Sequence, residues 1–318
     1  MIKKIIKKIL FFFLIRENNQ IKKLIPTLFK SKIKLLDVGA AGGIHNRWNM
    51  IIDNIEVFCV EPHADSALLL RQNNKNINII EKIFSNEENS NLNFFYTKKE
   101  ECSSVLKPNF IHLNKYPDQS RFDIVAEKNF PSTTIDKEFN RTSLPDFIKI
   151  DVEGYALEIL KGAKKSLPDI LGMEVECEFF ELREKQSSFQ DIQNFLKSFN
   201  FEFIDFLNII RWERQKHSYN GQPQVADVLF LQKPELILNK FNKGILKEDK
   251  LLKYIIILII YNRSDLLWFL SKNINKDINK KYNIEKILRL VEKKTNRLNN
   301  IKNISKFFEN LINDHIKK

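Results

Sequence analysis

KLLDVGAAGG, from Lys34 to Gly43, is an apolar run that stops at an acid and breaks into glycines. Ile33–Val38 reads as a buried strand. Gly39, Gly42 and Gly43 then let the backbone turn tightly and approach a ligand with no Cβ in the way. A helix beginning after the turn would present free N–H groups. The glycine spacing is not G-x-G-x-x-G, so the dinucleotide-binding fingerprint is not met. Asp37 at the strand end suits a ligand that carries a positive group, such as the ammonium of a methionine moiety. By itself the segment also reads as a plain strand-to-helix turn.

Outward from this turn, CVEPHAD (Cys59–Asp65) closes a second strand, Ile55–Val60, with Glu61 at its end. A carboxylate there can accept hydrogen bonds from both hydroxyls of a ribose. The alternative is a helix N-terminal charge with Pro62 in the first turn. Ala64–Asn73 reads as the following helix and Ile77–Ile80 as a third strand. DFIKIDVEGYALEILKGA (Asp146–Ala163) supplies a fourth strand, Phe147–Ile150, which delivers Asp151, Glu153 and Gly154 to the same rim. A helix from about Tyr155 to Lys161 follows it. Gly172–Cys177 lies in a fifth strand, which carries the motif MEVECEF (Met173–Phe179). Period two puts Glu174, Glu176 and Glu178 on one face, where three unpaired carboxylates are costly to bury. Phe189–Ser198 has helical spacing, and Phe201–Leu207 and Val225–Leu231 read as closing strands. Alternating strands and helices predict an α/β domain with a mostly parallel sheet.

Between Ser85 and Pro145 the pattern is irregular, with Asn93–Tyr96 and Phe122–Lys128 as further strands. Such an insertion suits a substrate pocket. After Pro234 the chain turns Asn/Lys/Ile-rich with helical periodicity at Ile284, Ile287, Leu288 and Val291, which predicts a helical appendage. YIIILIIY (Tyr254–Tyr261) reads as a buried helix or strand, too short for a span. The expected organisation is a basic helical segment at 1–32, the α/β domain at 33–234 with its 85–145 insertion, and a basic helical tail at 235–318.

Charge follows the same division. The net charge of +12 is concentrated at the ends. Residues 1–34 hold ten Lys/Arg against one Glu, and residues 233–318 hold twenty against nine acids. The middle is acidic, with 22 basic and 30 acidic residues. A nucleic-acid enzyme needs a basic face beside its active site, so no nucleic-acid partner is expected. Cys59, Cys102 and Cys177 form no CxxC pair or metal spacing, which fits a reducing cytoplasmic compartment. The N-terminal MIKKIIKKILFFFLI has too short an apolar run and no cleavage site for a secretory signal. It reads either as a helix packed on the domain or as a basic amphipathic helix at the inner membrane surface.

Taken in order, DVGAAGG with Arg47-Trp48 after it, VEP, CSSVLKPN (Cys102–Asn109), TTID (Thr133–Asp136), DFIKIDVEG, EVECEF and GQPQVADVLFLQKP (Gly221–Pro234) resemble the FkbM-family methyltransferases. DFIKIDVEG is the most specific of them. The resemblance covers Ile33 to Pro234. It implies the class I Rossmann-like methyltransferase fold, helices on both faces of the sheet, and S-adenosylmethionine as cofactor. It implies that Gly39, Ala40, Gly42 and Gly43 wrap the methionine and ribose part, with Asp37 orienting that loop. Glu61 would hold the ribose, and Lys82, Ile83 and Phe84 would flank the adenine. Asp151 would face the methyl-donor end and Glu174 would sit near the acceptor.

Methyl transfer from a sulfonium asks the protein to align the acceptor oxygen and to remove its proton. Alignment contributes on the order of several kcal/mol, and a positioned base roughly 10²–10⁴-fold. The candidate catalytic residues are Asp151, Glu174 and His45, the last of which reads equally as an exposed loop histidine. No metal is expected. The less favoured alternative has Asp151 and Glu174 sharing a divalent cation with Asp227 or Glu176. Ser103 and Ser104 read either as substrate contacts or as local caps. The expected function is O-methylation of a hydroxyl on a sugar or glycan-related small molecule. The alternatives are an N-methyltransferase on protein or nucleic acid, weakened by the absence of an (Asn/Asp)-Pro-Pro-(Tyr/Phe) motif, and a non-catalytic cofactor-binding module, which the intact Asp37, Glu61 and Asp151 set argues against.

Overall fold

Asp37 and Lys149 stand side by side on neighbouring parallel strands, β1 (Ile33–Val38) and β7 (Phe147–Ile150), at the centre of a seven-stranded sheet. The computed structural model describes residues 16–73, 77–88, 90–215 and 221–316. The expectation for the extreme N-terminus, residues 1–15, lies outside them. Moving outward on one side of β1 come β2 (Ile55–Val60) and β3 (Ile77–Ile80). On the other side, beyond β7, come β8 (Gly172–Glu178), β10 (Gln222–Gln232) and β9 (Phe201–Trp212). β3, β2, β1, β7 and β8 are parallel. β10 runs antiparallel to both β8 and β9. The order reverses direction between β1 and β7, the switch point where α/β sheets bind ligands beyond their carboxyl ends.

The central strands are apolar because both of their faces are covered. Consecutive residues Leu35 and Leu36, Phe147 and Ile148, and Leu229, Phe230 and Leu231 are all buried. Ile159 and Leu160 of the helix Ala156–Lys161 and Ile192 and Leu196 of the helix Phe189–Lys197 join the same core. The second helix opens with a reciprocal cap between Ser188 and Asp191. The closing strands are longer than their apolar runs, since β9 and β10 extend as a polar-flanked antiparallel ribbon past the sheet. The glycine turn leads into a short 3₁₀ turn, Ala40–Gly42, rather than an α-helix. The 85–145 region carries β5 (Asn91–Thr97) antiparallel to β6 (Ile124–Thr133), which pairs in parallel with the short β4 (Ile83–Phe84).

By compactness the chain divides into two units. One is the sheet unit, residues 32–45 and 55–233. The other unit contains residues 1–31, 46–54 and 234–318. Its described part is helical, and its centre is the helix Glu248–Ile260, where every residue from Leu251 to Ile260 is buried. A helix apolar on all sides must be enclosed, and Tyr254–Tyr261 is accordingly a buried helix. Trp48 meets Tyr261 edge to face at 6.2 Å, and Arg47 lies 4.8 Å over the same ring. Arg297 pairs with the buried Glu17 at 2.9 Å. Among the described residues no helix is long and apolar enough to cross a membrane.

Candidate active site

Three backbone hydrogen bonds tie the carboxyl ends of the strands into one rim. The Gly39 N–H donates to the Val60 carbonyl, the Glu61 N–H to Ile80 and the Asp151 N–H to Val38. Gly39 sits at φ +85°, and a Cβ on it would fall 1.9 Å from the carbonyl oxygen of Asp151. Only glycine fits between the two strand ends. Above this rim opens a cavity of about 520 Å³ within the sheet unit, a volume suited to a small-molecule cofactor with its substrate.

The first wall contains Gly39, Gly42, Glu61, Ile83 and Phe84 together with Lys82. Around a Cβ on Gly42 there is nothing within 4 Å, so the missing side chain leaves open space at the loop. Glu61 is 4% exposed. One of its oxygens accepts the His63 N–H at 2.9 Å, and burial pushes its carboxyl up to about 7. His63 in turn bonds the Tyr96 hydroxyl at 2.8 Å, through Nδ1. The tyrosine therefore fixes the residue that holds Glu61.

Asp37 does not line the cavity. It is buried beneath the rim with Lys149 Nζ 3.8 Å away. Burial pushes its carboxyl up to about 6 despite that lysine. Lys149 also donates to Asp151 Oδ2 at 2.9 Å. Burial opposes its charge, but Asp37 and Asp151 outweigh that effect and raise its pKa. Ala40 is likewise buried beneath the loop, and Gly43 stands outside the lining at φ +74°. His45 is exposed and outside the cavity.

The second wall brings Asp151, Glu153 and Glu176 together, with one oxygen from each within 4.8 Å of the others. Glu174 is not among the lining residues. β8 pairs Glu174 with Lys149 and Val175 with Ile150, which places Glu176 beside Asp151 at the rim. Glu174, 2% exposed, lies two residues deeper, roughly 6.6 Å down the strand. The alternation correctly puts both acids on one face, but only the register against β7 decides which of them reaches the cavity.

Two residues, one buried behind this wall and one in it, carried no sequence signal. Arg183 is completely buried. Its Nη2 donates to the Cys102 carbonyl at 3.0 Å and to Glu153, and its Nη1 lies 3.9 Å from Glu178. It joins the insertion, the turn after β7 and the end of β8 in one contact set. Trp212 lies under Arg121 at 4.5 Å and beside Phe122 at 5.8 Å, forming an aromatic wall with Leu182 and Val225. Ser104 donates to the Glu153 carbonyl at 2.8 Å and so acts as a structural tie. Ser103 lines the cavity, with its Oγ accepting the Thr97 N–H.

A buried carboxylate beside a glycine loop at the switch point of an α/β sheet is an arrangement suited to a nucleoside cofactor. The Methyltransferase FkbM domain model matches residues 37–203, more than half of the chain, and the chain belongs to that family. Solved structures to which the chain is similar include the magnesium protoporphyrin IX methyltransferase of Synechocystis PCC 6803 with bound S-adenosylmethionine, at 7% identity over 73% of this chain and 79% of that one, TM-score 0.35. The precorrin-6y C5,15-methyltransferase of Geobacter metallireducens is similar at 13% identity over 66% and 86%, TM-score 0.33. TrmK of M. capricolum, in complex with S-adenosylhomocysteine, is similar at 12% identity over 88% and 96%, TM-score 0.30. At these scores the likenesses decide nothing further, and the assignment rests on the domain match. No curated protein matches the sequence.

The lining fits the cofactor. Glu61 presents a buried carboxylate that could accept hydrogen bonds from ribose hydroxyls, Gly42 leaves open space at the loop, and Ile83 and Phe84 offer apolar surface to a base.

Proposed function

We propose that this methyltransferase transfers its methyl group to a hydroxyl oxygen of a sugar or glycan-related small molecule inside the cell. The observation that carries the reading is the second wall, where Glu153 and Glu176 face the same cavity as Trp212 and Phe122. A neutral polyol offers hydroxyl donors to carboxylates and apolar C–H faces to an aromatic ring, and this wall offers both partners. A nucleic-acid acceptor would place phosphates against carboxylates, which disfavours it.

S-adenosylmethionine, when bound, supplies a methyl group on a positively charged sulfur. In this reading Gly39 and Gly42 admit its methionine and ribose part, Glu61 accepts from the ribose hydroxyls, and Ile83 and Phe84 flank the adenine. Asp151 faces the donor end, held in place by Lys149. The aromatic wall orients the acceptor and excludes water, and a carboxylate at the rim removes the acceptor proton. His45, outside the cavity, has no place in this scheme.

The test is transfer of a tritiated methyl group to a panel of sugar nucleotides and cell-envelope glycans, with tRNA and denatured protein in parallel. Label in a base-stable ether on a sugar is the expected result. Label confined to RNA or protein overturns the proposal.

A further inference from the structure

We propose that Glu176 is the catalytic residue that accepts the proton from the acceptor hydroxyl, the role for which the sequence offers Asp151, Glu174 and His45 as candidates. The proposal rests on the cofactor orientation given under Proposed function.

Three carboxylates meet at the second wall, and two of them are already committed. Asp151 Oδ2 receives the Lys149 ammonium at 2.9 Å. Glu153 receives the guanidinium of the fully buried Arg183, and its carbonyl is held by Ser104. Glu176 lines the cavity, yet its buried Oε2 has no hydrogen-bond partner among the described residues. A carboxylate held by a cation is a weak base. One with an oxygen that lacks a donor is a stronger base, and a hydroxyl entering the cavity would supply that donor. Its neighbours act in the same direction. Facing it are Asp151 and Glu153 from the turn after β7, Glu178 on its own strand, Asp227 opposite it on β10, and the cation Arg183, with Lys149 on Asp151 and Arg121 in the same lining. Burial, then Glu153 and Asp151, push its carboxyl well above the ordinary range, so it holds a proton readily.

The step balances without any further reactant. The acceptor O–H bond breaks and its proton passes to a Glu176 oxygen, while the new C–O bond forms as the S–CH₃ bond breaks. The products are a methyl ether, S-adenosylhomocysteine and protonated Glu176, which gives that proton to solvent when the next S-adenosylmethionine binds.

The acceptor is not needed for the first test. A sulfonium placed beside a carboxyl favours its ionised form and drives its proton off, and the uncharged thioether of S-adenosylhomocysteine does not. Calorimetry at pH 7 in buffers of different ionisation enthalpy is expected to show more protons released when the wild type binds S-adenosylmethionine than when it binds S-adenosylhomocysteine. Glu176→Gln should abolish that difference, weaken S-adenosylmethionine and keep the affinity for S-adenosylhomocysteine within about threefold. On a sugar acceptor from the tritium panel, the same variant should lose about 100-fold or more in kcat, with KM little changed and the acid limb of the pH profile gone. A proton-release difference that persists in Glu176→Gln overturns the proposal, as does an unchanged kcat. Tight Mg²⁺ or Mn²⁺ binding that the variant loses also overturns it, by making Glu176 a metal ligand. A normal proton signature with no methylated sugar would leave Glu176 in place and refute only the acceptor class.

Discussion

The carbonyl oxygen of Asp151 occupies the space where a side chain on Gly39 would begin, 1.9 Å from its Cβ position. The contact joins the ends of β1 and β7 at the centre of the cofactor wall.

Gly39→Ala must move backbone against backbone and also hold a left-handed φ. Together these cost about 2–4 kcal/mol, read as a lower melting temperature with loss of cofactor binding. Gly42→Ala meets nothing within 4 Å. It should melt like the wild type and show only weakened binding of S-adenosylmethionine. Equal melting of the two variants would refute the rim geometry.

Glu61→Ala removes the carboxylate proposed to hold the ribose hydroxyls. Loss of a charge-assisted hydrogen bond is about 1.5–3 kcal/mol, or roughly ten- to a hundredfold in Kd for both S-adenosylmethionine and S-adenosylhomocysteine. Calorimetry reads it directly, and unchanged affinity would place the ribose elsewhere.

The pH dependence of stability follows from Glu61 and Asp37. Their folded carboxyls are raised from 4.5 to about 7 and from 3.8 to about 6. The native state therefore holds more protons than the unfolded chain across those windows, so stability falls as pH rises through them. The melting temperature of the ligand-free protein should drop between pH 5 and pH 8, and Glu61→Gln should flatten the curve.

Lys149→Met leaves Asp37 and Asp151 without their shared cation. Breaking a buried pair by removing one partner costs about 3–5 kcal/mol. Because Asp37 can escape by taking a proton, the deficit should be smaller at pH 5 than at pH 8 in denaturant melts. A deficit independent of pH would mean the lysine acts by packing alone.

Arg183→Met strips Glu153 and Glu178 of their guanidinium at a fully buried site. A similar loss of about 3–5 kcal/mol is expected. Arg183→Lys should rescue little of it, since one ammonium cannot replace a planar fork that reaches three groups.

Strand and helix periods are local properties, and the sequence alone carries them. Ile33–Val38, Ile55–Val60, Ile77–Ile80 and Phe147–Ile150 are strands at those bounds, and the ordered motifs point to the FkbM family. The acid and glycine types at each strand end are equally local, which is why Gly39, Glu61 and Asp151 stand out before any fold is known. What no local pattern carries is which residues become neighbours through the sheet. Asp37 reads as a ligand-facing acid until β7 sets Lys149 beside it and closes it off. Glu174 and Glu176 share a face by period two, and only the register of β8 on β7 lifts Glu176 to the cavity and leaves Glu174 below. Arg183 and Trp212 lie far in sequence from the residues they touch, at Cys102, Glu153 and Phe122. Their roles depend on long-range contacts, which only the tertiary structure decides.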